Sequence, residues 1–265
     1  MILYSYNVSP YAAKVRAILR YKQLPFDERV LHPLRRGPLK KLSGQLGVPV
    51  LDDGGKVIAD STRIARHLEE AHPEPAIYPA DPALRARALL LEEWADEGLA
   101  RVIQPVRWFL NEKHSFALFR SAYPAGRKQD LEWAAVSRFL RVDFRRKYGD
   151  RFGAPPASEI LARLAEVCDL LDGALAESGW LAGPSPTVAD FAAWGFMGFL
   201  EDLDGWETVK ARRRVARWLK ELKKLAGDDR APQAEAYDAE DAAMLDASQH
   251  RRATQSPQKK RLPVL

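Results

Sequence analysis

Cysteine is almost absent from this chain, because Cys168 is the only one among 265 residues. A single cysteine excludes an intrachain disulfide and any metal site built from several cysteines, and it is typical of a reducing compartment. Cys168 lies among leucines and valines at helical spacing. We therefore predict that it is a buried core residue and not a nucleophile.

Long apolar runs are absent as well. None approaches the roughly 20 residues that a membrane-spanning helix requires, and the start of the chain, Met1 to Tyr6, lacks the features of a signal peptide. We therefore expect a cytoplasmic protein with no membrane partner. The apolar fraction of 46% is nevertheless sufficient for the cores of two ordinary domains or of one large one.

A strong excess of one charge is also missing, because 41 basic residues face 36 acidic ones and leave a net charge of +5. The densest basic run, Lys210 to Lys224, carries apolar residues at helical spacing. This pattern favours a helix with a packed apolar face and a solvated basic face, so we expect no nucleic-acid partner. A nucleic-acid-binding arm is the weaker alternative, and it predicts binding that falls steeply with salt.

The first part of the chain alternates short apolar segments with amphipathic ones. This pattern predicts strands at residues 2–6, 26–31, 48–51 and 56–59, and helices at residues 10–21 and 62–71. Each helix has one apolar face that can cover a sheet. The order, βαβ followed by ββα, resembles a thioredoxin-like α/β domain, which we place at residues 1–78. The Cys-x-x-Cys motif of thioredoxins is missing, so disulfide exchange is excluded.

Prolines are concentrated between His72 and Pro82, and no strand pattern recurs beyond them. We place a domain boundary there and predict an all-α helical bundle at residues 79–226, with an inserted segment around residues 114–150. Pro105 should bend the first helix, because proline removes a backbone donor. Residues 227–265 are polar and predict a tail. The helices are predicted at residues 82–113, 129–148, 158–177, 188–201 and 209–226.

Thr187 and Asp190 stand at the start of the helix predicted at residues 188–201. Their spacing predicts a capping box, in which each side chain satisfies the backbone amide of the other residue. We interpret this motif as a signal for helix initiation without a chemical role.

Three short motifs carry most of the functional information. Val48-Pro49 predicts the start of an edge strand with a cis peptide bond and an exposed Val48 backbone, because proline cannot pair inside a central ladder. Asp60-Ser61 ends the next strand and caps the following helix, which brings a hydroxyl and free amides to the same side. Ser9 directly precedes a proline and is a further predicted helix cap.

In this order and spacing, the motifs resemble the glutathione site of the glutathione S-transferase family, in its serine-type members, over roughly residues 1–226. The resemblance implies a thioredoxin-like α/β N-terminal domain followed by an all-α helical-bundle C-terminal domain. It also implies a homodimer that uses glutathione as co-substrate and no metal. The implied reaction is attack of the glutathione thiolate on a small hydrophobic electrophile, as in detoxification.

The same resemblance implies a role for each motif. Ser9 would stabilise the thiolate, and the Val48 backbone beside Pro49 would pair with the cysteinyl unit of glutathione. Asp60 and Ser61 would hold its γ-glutamyl end.

One position departs from the family pattern, because Gly47 stands where many relatives carry a lysine that contacts the glycyl carboxylate. Lys40 or Lys41 could take over this contact, and we include Lys41 in the predicted glutathione site. Both lysines are equally well explained as solvated charges of a loop.

The second substrate would lie between the domains, where Tyr11, Trp108 and Phe109 supply apolar surface. Phe116 and Tyr123 extend this set, although an aromatic cluster is also typical of a core. We predict that the inserted segment forms a wall or a lid of this pocket.

Several alternatives remain open. A tyrosine could replace Ser9 as the thiolate donor, although the candidates fit packed faces better: Tyr4, Tyr6 and Tyr11. The family also includes reductive dehalogenases, ether-cleaving enzymes and peroxidases, and the sequence neither selects among them nor identifies the electrophile. The chain could instead be a non-catalytic binding or scaffolding protein that keeps the fold. Gly47 and the long insertion favour this reading, and the retained Ser9 motif disfavours it.

Overall fold

The computed structural model of the protein describes residues 1–31, 37–121, 127–149 and 154–227. The predicted tail beyond Gly227 lies outside the described residues, and so does Tyr123. The strands are β1 (Ile2–Ser5), β2 (Asp27–Val30), β3 (Val50–Asp53) and β4 (Lys56–Ala59). The first helices are α1 (Pro10–Tyr21), α2 (Gly37–Ser43) and α3 (Ser61–Ala71). They are followed by α4 (Pro82–Trp94), α5 (Ala100–Pro105), α6 (Glu112–Ser121), α7 (Arg127–Tyr148), α8 (Ala157–Ala174), α9 (Val188–Met197), α10 (Trp206–Lys210) and α11 (Arg213–Ala226).

The four strands form a mixed sheet in the order β2-β1-β3-β4. β1 runs parallel to β2 and antiparallel to β3, with Leu3 opposite Leu51. The β3–β4 hairpin turns at Gly54 and Gly55, whose φ angles of 60° and 97° suit glycine. Asp52 Oδ1 accepts a hydrogen bond from the Gly55 N–H at 2.7 Å and closes this turn. The predicted strands and the thioredoxin-like α/β domain are confirmed.

Helices cover both faces of the sheet. α1 and α3 cover one face with fully buried side chains: Leu3, Ile18, Leu51, Ile64 and Leu68. α2 covers the other face and buries Leu39 and Leu42 against Tyr4 and Val50. The sequence-based expectation of a loop around Lys40 and Lys41 was wrong, because two leucines three residues apart give even a short helix a face to bury.

The single helix predicted at residues 82–113 is instead broken into segments. π-helical turns at Ala95–Leu99 and Val106–Leu110 separate α4, α5 and α6. Pro105 ends α5 directly before the second turn, because its missing N–H interrupts the hydrogen-bond ladder. The bend expected at Pro105 stays a prediction. In the first turn the Asp96 carbonyl accepts a hydrogen bond from the Tyr11 hydroxyl at 2.9 Å. Such π-helical turns are frequent at functional sites.

α9 lies at the centre of the helical domain, and all ten of its residues are buried. The predicted capping box is confirmed: Asp190 Oδ2 accepts from the Thr187 N–H at 2.8 Å and from the Thr187 hydroxyl at 2.9 Å. The helix starts at Val188, whose N–H donates to the Ile77 carbonyl at 2.8 Å and so ties α9 to the link between the domains. It ends at Met197, four residues before the predicted end.

The helix predicted at residues 209–226 is split into α10 and α11. Arg212 has an extended backbone between them, and its side chain forms an ion pair with Asp169 on α8 at 2.8 Å. The apolar face of α11 is buried through Val215, Trp218, Leu219 and Leu222, as predicted. Cys168 is also fully buried, as predicted, and burial raises the pKa of its thiol to about 11. No helix in the described part of the chain combines the length and the apolar character needed to cross a membrane.

Candidate functional site

The topology of the sheet brings the three predicted motifs to one edge. Because β3 runs antiparallel to both β1 and β4, its first residue, Val50, faces Tyr4 near the end of β1 and Ala59 at the end of β4. The chain leaves β1 toward Ser9, enters β3 through Val48 and leaves β4 at Asp60. The start of α1, the start of α3 and the turn before β3 therefore meet at this edge.

Ser9 caps the first helix. Its Oγ accepts a hydrogen bond from the Ala12 N–H at 3.3 Å, and its own N–H donates to the Tyr6 carbonyl at 3.0 Å. The side chain is largely buried, with 9% of the residue exposed. The hydroxyl proton of Ser9 has no acceptor within the described ranges. A serine in this position can donate to an anion that approaches the positive end of α1.

Val48 and Pro49 form the predicted cis peptide bond directly before β3. The prediction of an edge strand that starts at Val48 was wrong, because the strand begins at Val50 and β3 pairs with β1 on one side and with β4 on the other. The Pro49 carbonyl accepts a hydrogen bond from the Asp60 N–H at 3.4 Å and so couples this turn to the start of α3. Val48 lies outside the strand, and among the described residues its main chain makes no hydrogen bond. An extended ligand can therefore pair with the Val48 peptide as a strand pairs with a sheet edge.

Asp60 and Ser61 stand at the start of α3. Asp60 has a φ of 85°, an uncommon value for a residue other than glycine, and its Oδ1 accepts from the Arg63 N–H at 3.0 Å. Its carboxylate is exposed, whereas Ser61 is buried. A carboxylate next to the free amides of a helix start can hold the ammonium and carboxylate groups of one small zwitterion.

Lys41, the predicted contact for the glycyl carboxylate, lies on a different element from the other site residues. Lys41 is exposed on α2. Gly47 is exposed as well, and a Cβ atom built at this position would meet no atom within 4 Å. The structure thus leaves room at residue 47.

A buried charged cluster joins the two domains behind the site. Lys14 Nζ on α1 lies 2.8 Å from Glu92 Oε1 on α4 and 2.8 Å from Asp96 Oδ2. Thr62 Oγ1 on α3 donates to Glu92 Oε1 at 3.0 Å. Desolvation by burial raises the pKa of Asp96, although Lys14 opposes this shift. The sequence analysis did not predict this cluster. The sequence feature that could have indicated it is Lys14, a lysine on the packed face of an amphipathic helix.

Tyr11 lies between α1 and the helical domain. Its hydroxyl donates to the Asp96 carbonyl, and its ring meets the edge of Phe196 with 5.5 Å between the ring centroids. Burial raises the pKa of Tyr11, with a smaller contribution from Tyr148. The hydroxyl therefore stays protonated and is already used as a donor to the protein.

Trp108 and Phe109, which were proposed for the second substrate, are packed by α6 and α7. Trp108 is 3% exposed, stacks on Phe144 of α7 at a centroid distance of 4.3 Å and meets the edge of Phe116 at 5.4 Å. Phe109 is half-buried at the border of this cluster, which also includes Val8. A cavity of about 80 Å³ remains beside it. The structure thus brings Trp108 and Phe109 near the residue that precedes Ser9, under a cover from α6 and α7.

A larger cleft opens beside the β1–α1 loop. Its volume is about 340 Å³, and it lies between this loop, α6, the end of α9 and α11. Asn7 lines it and donates from Nδ2 to the Leu118 carbonyl at 2.6 Å, whereas Asn7 Oδ1 is buried without a partner in the described structure. The wall also includes Trp194 and Phe199. No motif in the sequence predicted this cleft.

The chain is similar to known proteins along most of its length. The family model described as "Glutathione S-transferase, N-terminal domain" matches residues 3–76, and the model described as "Glutathione S-transferase, C-terminal domain" matches residues 92–221. FtsZ-localized protein A of Caulobacter vibrioides is 26% identical over 231 residues, which are 83% of this chain and 86% of that protein.

Two further curated relatives match over shorter segments. Maleylacetoacetate isomerase of Dictyostelium discoideum is 33% identical over 33% of this chain, and Protein LigF of a Sphingobium strain is 31% identical over 40% of it. The chain spans only 42% and 44% of the length of these two proteins.

Solved structures show the same fold. A glutathione S-transferase from Rhodospirillum rubrum F11 has a TM-score of 0.63 at 21% identity, with 92% of this chain and 99% of that chain covered. FzlA from C. crescentus has a TM-score of 0.62 at 24% identity, with 92% and 98% covered.

Proposed function

Because the chain belongs to the glutathione S-transferase family, we propose that it binds glutathione and activates the thiol for attack on a small hydrophobic electrophile. One observation carries this proposal: the starts of α1 and α3 and the turn at Val48-Pro49 meet at one edge of the sheet. Glutathione is an extended, anionic tripeptide, and this edge offers two positive helix ends and the free main chain of Val48.

We assign each part of glutathione to a part of this edge. The Val48 peptide pairs with the cysteinyl unit, next to Pro49, and directs the sulfur toward Ser9. Ser61 and the exposed carboxylate of Asp60 hold the γ-glutamyl end. Lys41 is the proposed contact for the glycyl carboxylate, in place of the lysine that residue 47 does not supply.

Ser9 is the proposed donor to the thiolate. To lower a thiol pKa by about two units, a site must favour the thiolate over the thiol by roughly 2.7 kcal/mol. One charge-assisted hydrogen bond together with a helix end can supply this amount. The Ser9 residue is largely buried, and its hydroxyl proton has no acceptor within the described ranges. Both features suit this role.

The activated thiolate allows two reaction types. In transfer, its sulfur forms a bond to an electrophilic carbon and the bond is kept, with loss of a leaving group or uptake of a proton. In isomerisation, the sulfur adds to a conjugated double bond, the resulting single bond rotates, and elimination regenerates the thiolate. Several curated relatives are named as isomerases, so both reaction types belong to the proposal. We also propose that the protein acts as a homodimer.

An ultraviolet titration of the thiolate of bound glutathione tests the proposal. Wild type should show a thiol pKa clearly below that of free glutathione, and Ser9→Ala should restore the ordinary value. Ser178→Ala, which removes an exposed serine in the turn after α8, is the matched control and should behave as wild type. Binding without a lowered thiol pKa would contradict the role of Ser9.

A second candidate is a binding or scaffolding protein without turnover. One relative that matches over most of both chains is named for its localisation with FtsZ and not for a reaction. The packing of Trp108 under α6 and α7 also supports this candidate, because it leaves little open surface of Trp108 for an electrophile. Retention on immobilised glutathione separates the two candidates, since a protein that has lost the site would pass through the resin.

A further inference from the structure

Arg107 is a cation buried in the helical domain, with 1% of the residue exposed. It lies in the π-helical turn that follows Pro105. Its guanidinium donates to the Val8 carbonyl at 3.0 Å and to Gln104 Oε1 at 3.4 Å. The same group lies 4.0 Å from the centre of the Phe199 ring.

None of these partners is negatively charged. A buried cation normally has a carboxylate partner, because desolvation of an isolated charge costs several kcal/mol. Among the described residues no carboxylate forms an ion pair with Arg107, and the titratable group that acts on it is the Tyr148 hydroxyl. Burial lowers the pKa of Arg107 to about 9, so the guanidinium remains protonated at neutral pH.

The position of this charge relates it to the proposed glutathione site. Val8, whose carbonyl Arg107 binds, directly precedes Ser9. The cation therefore contacts the residue next to the proposed thiolate donor, in the loop that leads into the positive end of α1. In a poorly solvated environment a charge acts over longer distances than in water.

We propose that Arg107 is a positioning residue that anchors the Val8 carbonyl and directs a positive potential at the sulfur of glutathione bound at Ser9. The proposal rests on the proposed function, because it requires glutathione at this site. The bound thiolate then supplies the negative charge that the protein itself does not provide. A purely structural role would need only the hydrogen bond to Val8 and no charge.

Two neutral variants test this proposal, Arg107→Gln and Arg107→Met. We expect both to raise the thiol pKa of bound glutathione by about one unit relative to wild type. Each variant removes a positive charge that acts on the thiolate through a partly desolvated medium. Phe199→Leu is the matched control: it removes the ring that stacks on the guanidinium but leaves the charge and the Val8 contact, and it should keep the wild-type thiol pKa. A thiol pKa that is unchanged in both folded Arg107 variants would overturn the proposal.

A measurement on wild type covers the case in which neither variant folds. The thiol pKa of bound glutathione is followed from about 0.01 M to about 1 M salt, which shortens the screening length from about 30 Å to about 3 Å. A buried source of potential predicts a thiol pKa that stays low throughout. A rise toward the value of free glutathione would place the source among exposed charges and would also overturn the proposal.

These outcomes are distinct from a failure of the proposed function. If wild type bound no glutathione, or bound it with an ordinary thiol pKa, the role of Ser9 would fail before Arg107 was considered. If wild type lowered the thiol pKa and the neutral variants did the same, only the role of Arg107 would fail.

Discussion

Lys14 and Glu92 form a buried ion pair between the two domains, with Nζ 2.8 Å from Oε1 and neither side chain more than 4% exposed. Lys14→Met leaves Glu92 and Asp96 without their cation, so we expect a loss of about 3–5 kcal/mol in the free energy of unfolding. Lys210→Met breaks an exposed pair with Glu207 and should cost less than about 1 kcal/mol. Denaturant unfolding measures both losses, and equal losses would contradict the importance of the buried pair.

The raised pKa of Asp96 predicts a pH dependence of stability. A carboxyl group whose pKa is higher in the folded than in the unfolded state binds its proton more tightly when folded, so its contribution is greatest below the ordinary aspartate pKa. This contribution is lost as the pH rises through the folded-state value. Wild type should therefore lose stability relative to Asp96→Asn as the pH is raised from acid. Parallel curves for the two proteins in denaturant titrations would contradict this expectation.

Ser9→Ala should change the pH profile of turnover more than glutathione binding. If Ser9 stabilises the thiolate by up to about two pKa units, the variant should lose about 10- to 100-fold in rate at neutral pH and recover part of it at alkaline pH. Steady-state kinetics with an aryl halide checks this expectation. An equal rate loss at every pH would indicate a defect in positioning rather than in thiol ionisation.

Gly195 allows α9 and α1 to approach closely. A Cβ atom at this position would lie 2.4 Å from the Pro10 carbonyl oxygen, which belongs to rigid backbone. We expect Gly195→Ala to destabilise the protein by about 1–3 kcal/mol, because one of the two helices must shift. Gly173→Ala on α8 meets nothing within 4 Å and should be neutral or stabilising by up to about 1 kcal/mol in thermal unfolding.

Phe144 tests whether the inserted segment forms a wall of the second-substrate pocket. Phe144→Ala removes the ring stacked on Trp108, so the relative rates with large and small electrophiles should change while the thiol pKa of bound glutathione stays the same. Leu131→Ala, on the exposed side of the same helix, is the control and should change neither. An unchanged order of electrophile rates in Phe144→Ala would remove the segment from the pocket.

The parts of the fold that were predictable depend on local chemistry. Alternation of apolar residues fixed the strands, Pro49 indicated the cis bond, and Thr187 with Asp190 marked the start of α9. Each of these signals arises from neighbours in the sequence, so no tertiary information is needed to read it.

The parts that escaped prediction depend on contacts between distant segments. α2 forms because Leu39 and Leu42 pack against the face of the sheet opposite α1 and α3. The first π-helical turn includes Asp96, whose carbonyl accepts a hydrogen bond from Tyr11 in the other domain. The partners of Arg107 come from the other domain and from beyond α9. The apolar periodicity of a single helix does not show which distant residues will contact it.

The burial of every residue of α9 has a consequence for recombination between family members. A helix without a solvent-facing side has to match its neighbours on all sides, and on one side that neighbour is the start of α1, which approaches Gly195 too closely for any side chain. A chimera that joins this N-terminal domain to another helical domain would therefore need a glycine at the equivalent position. The fit of α1 against α9 therefore makes the two domains depend on each other's sequence.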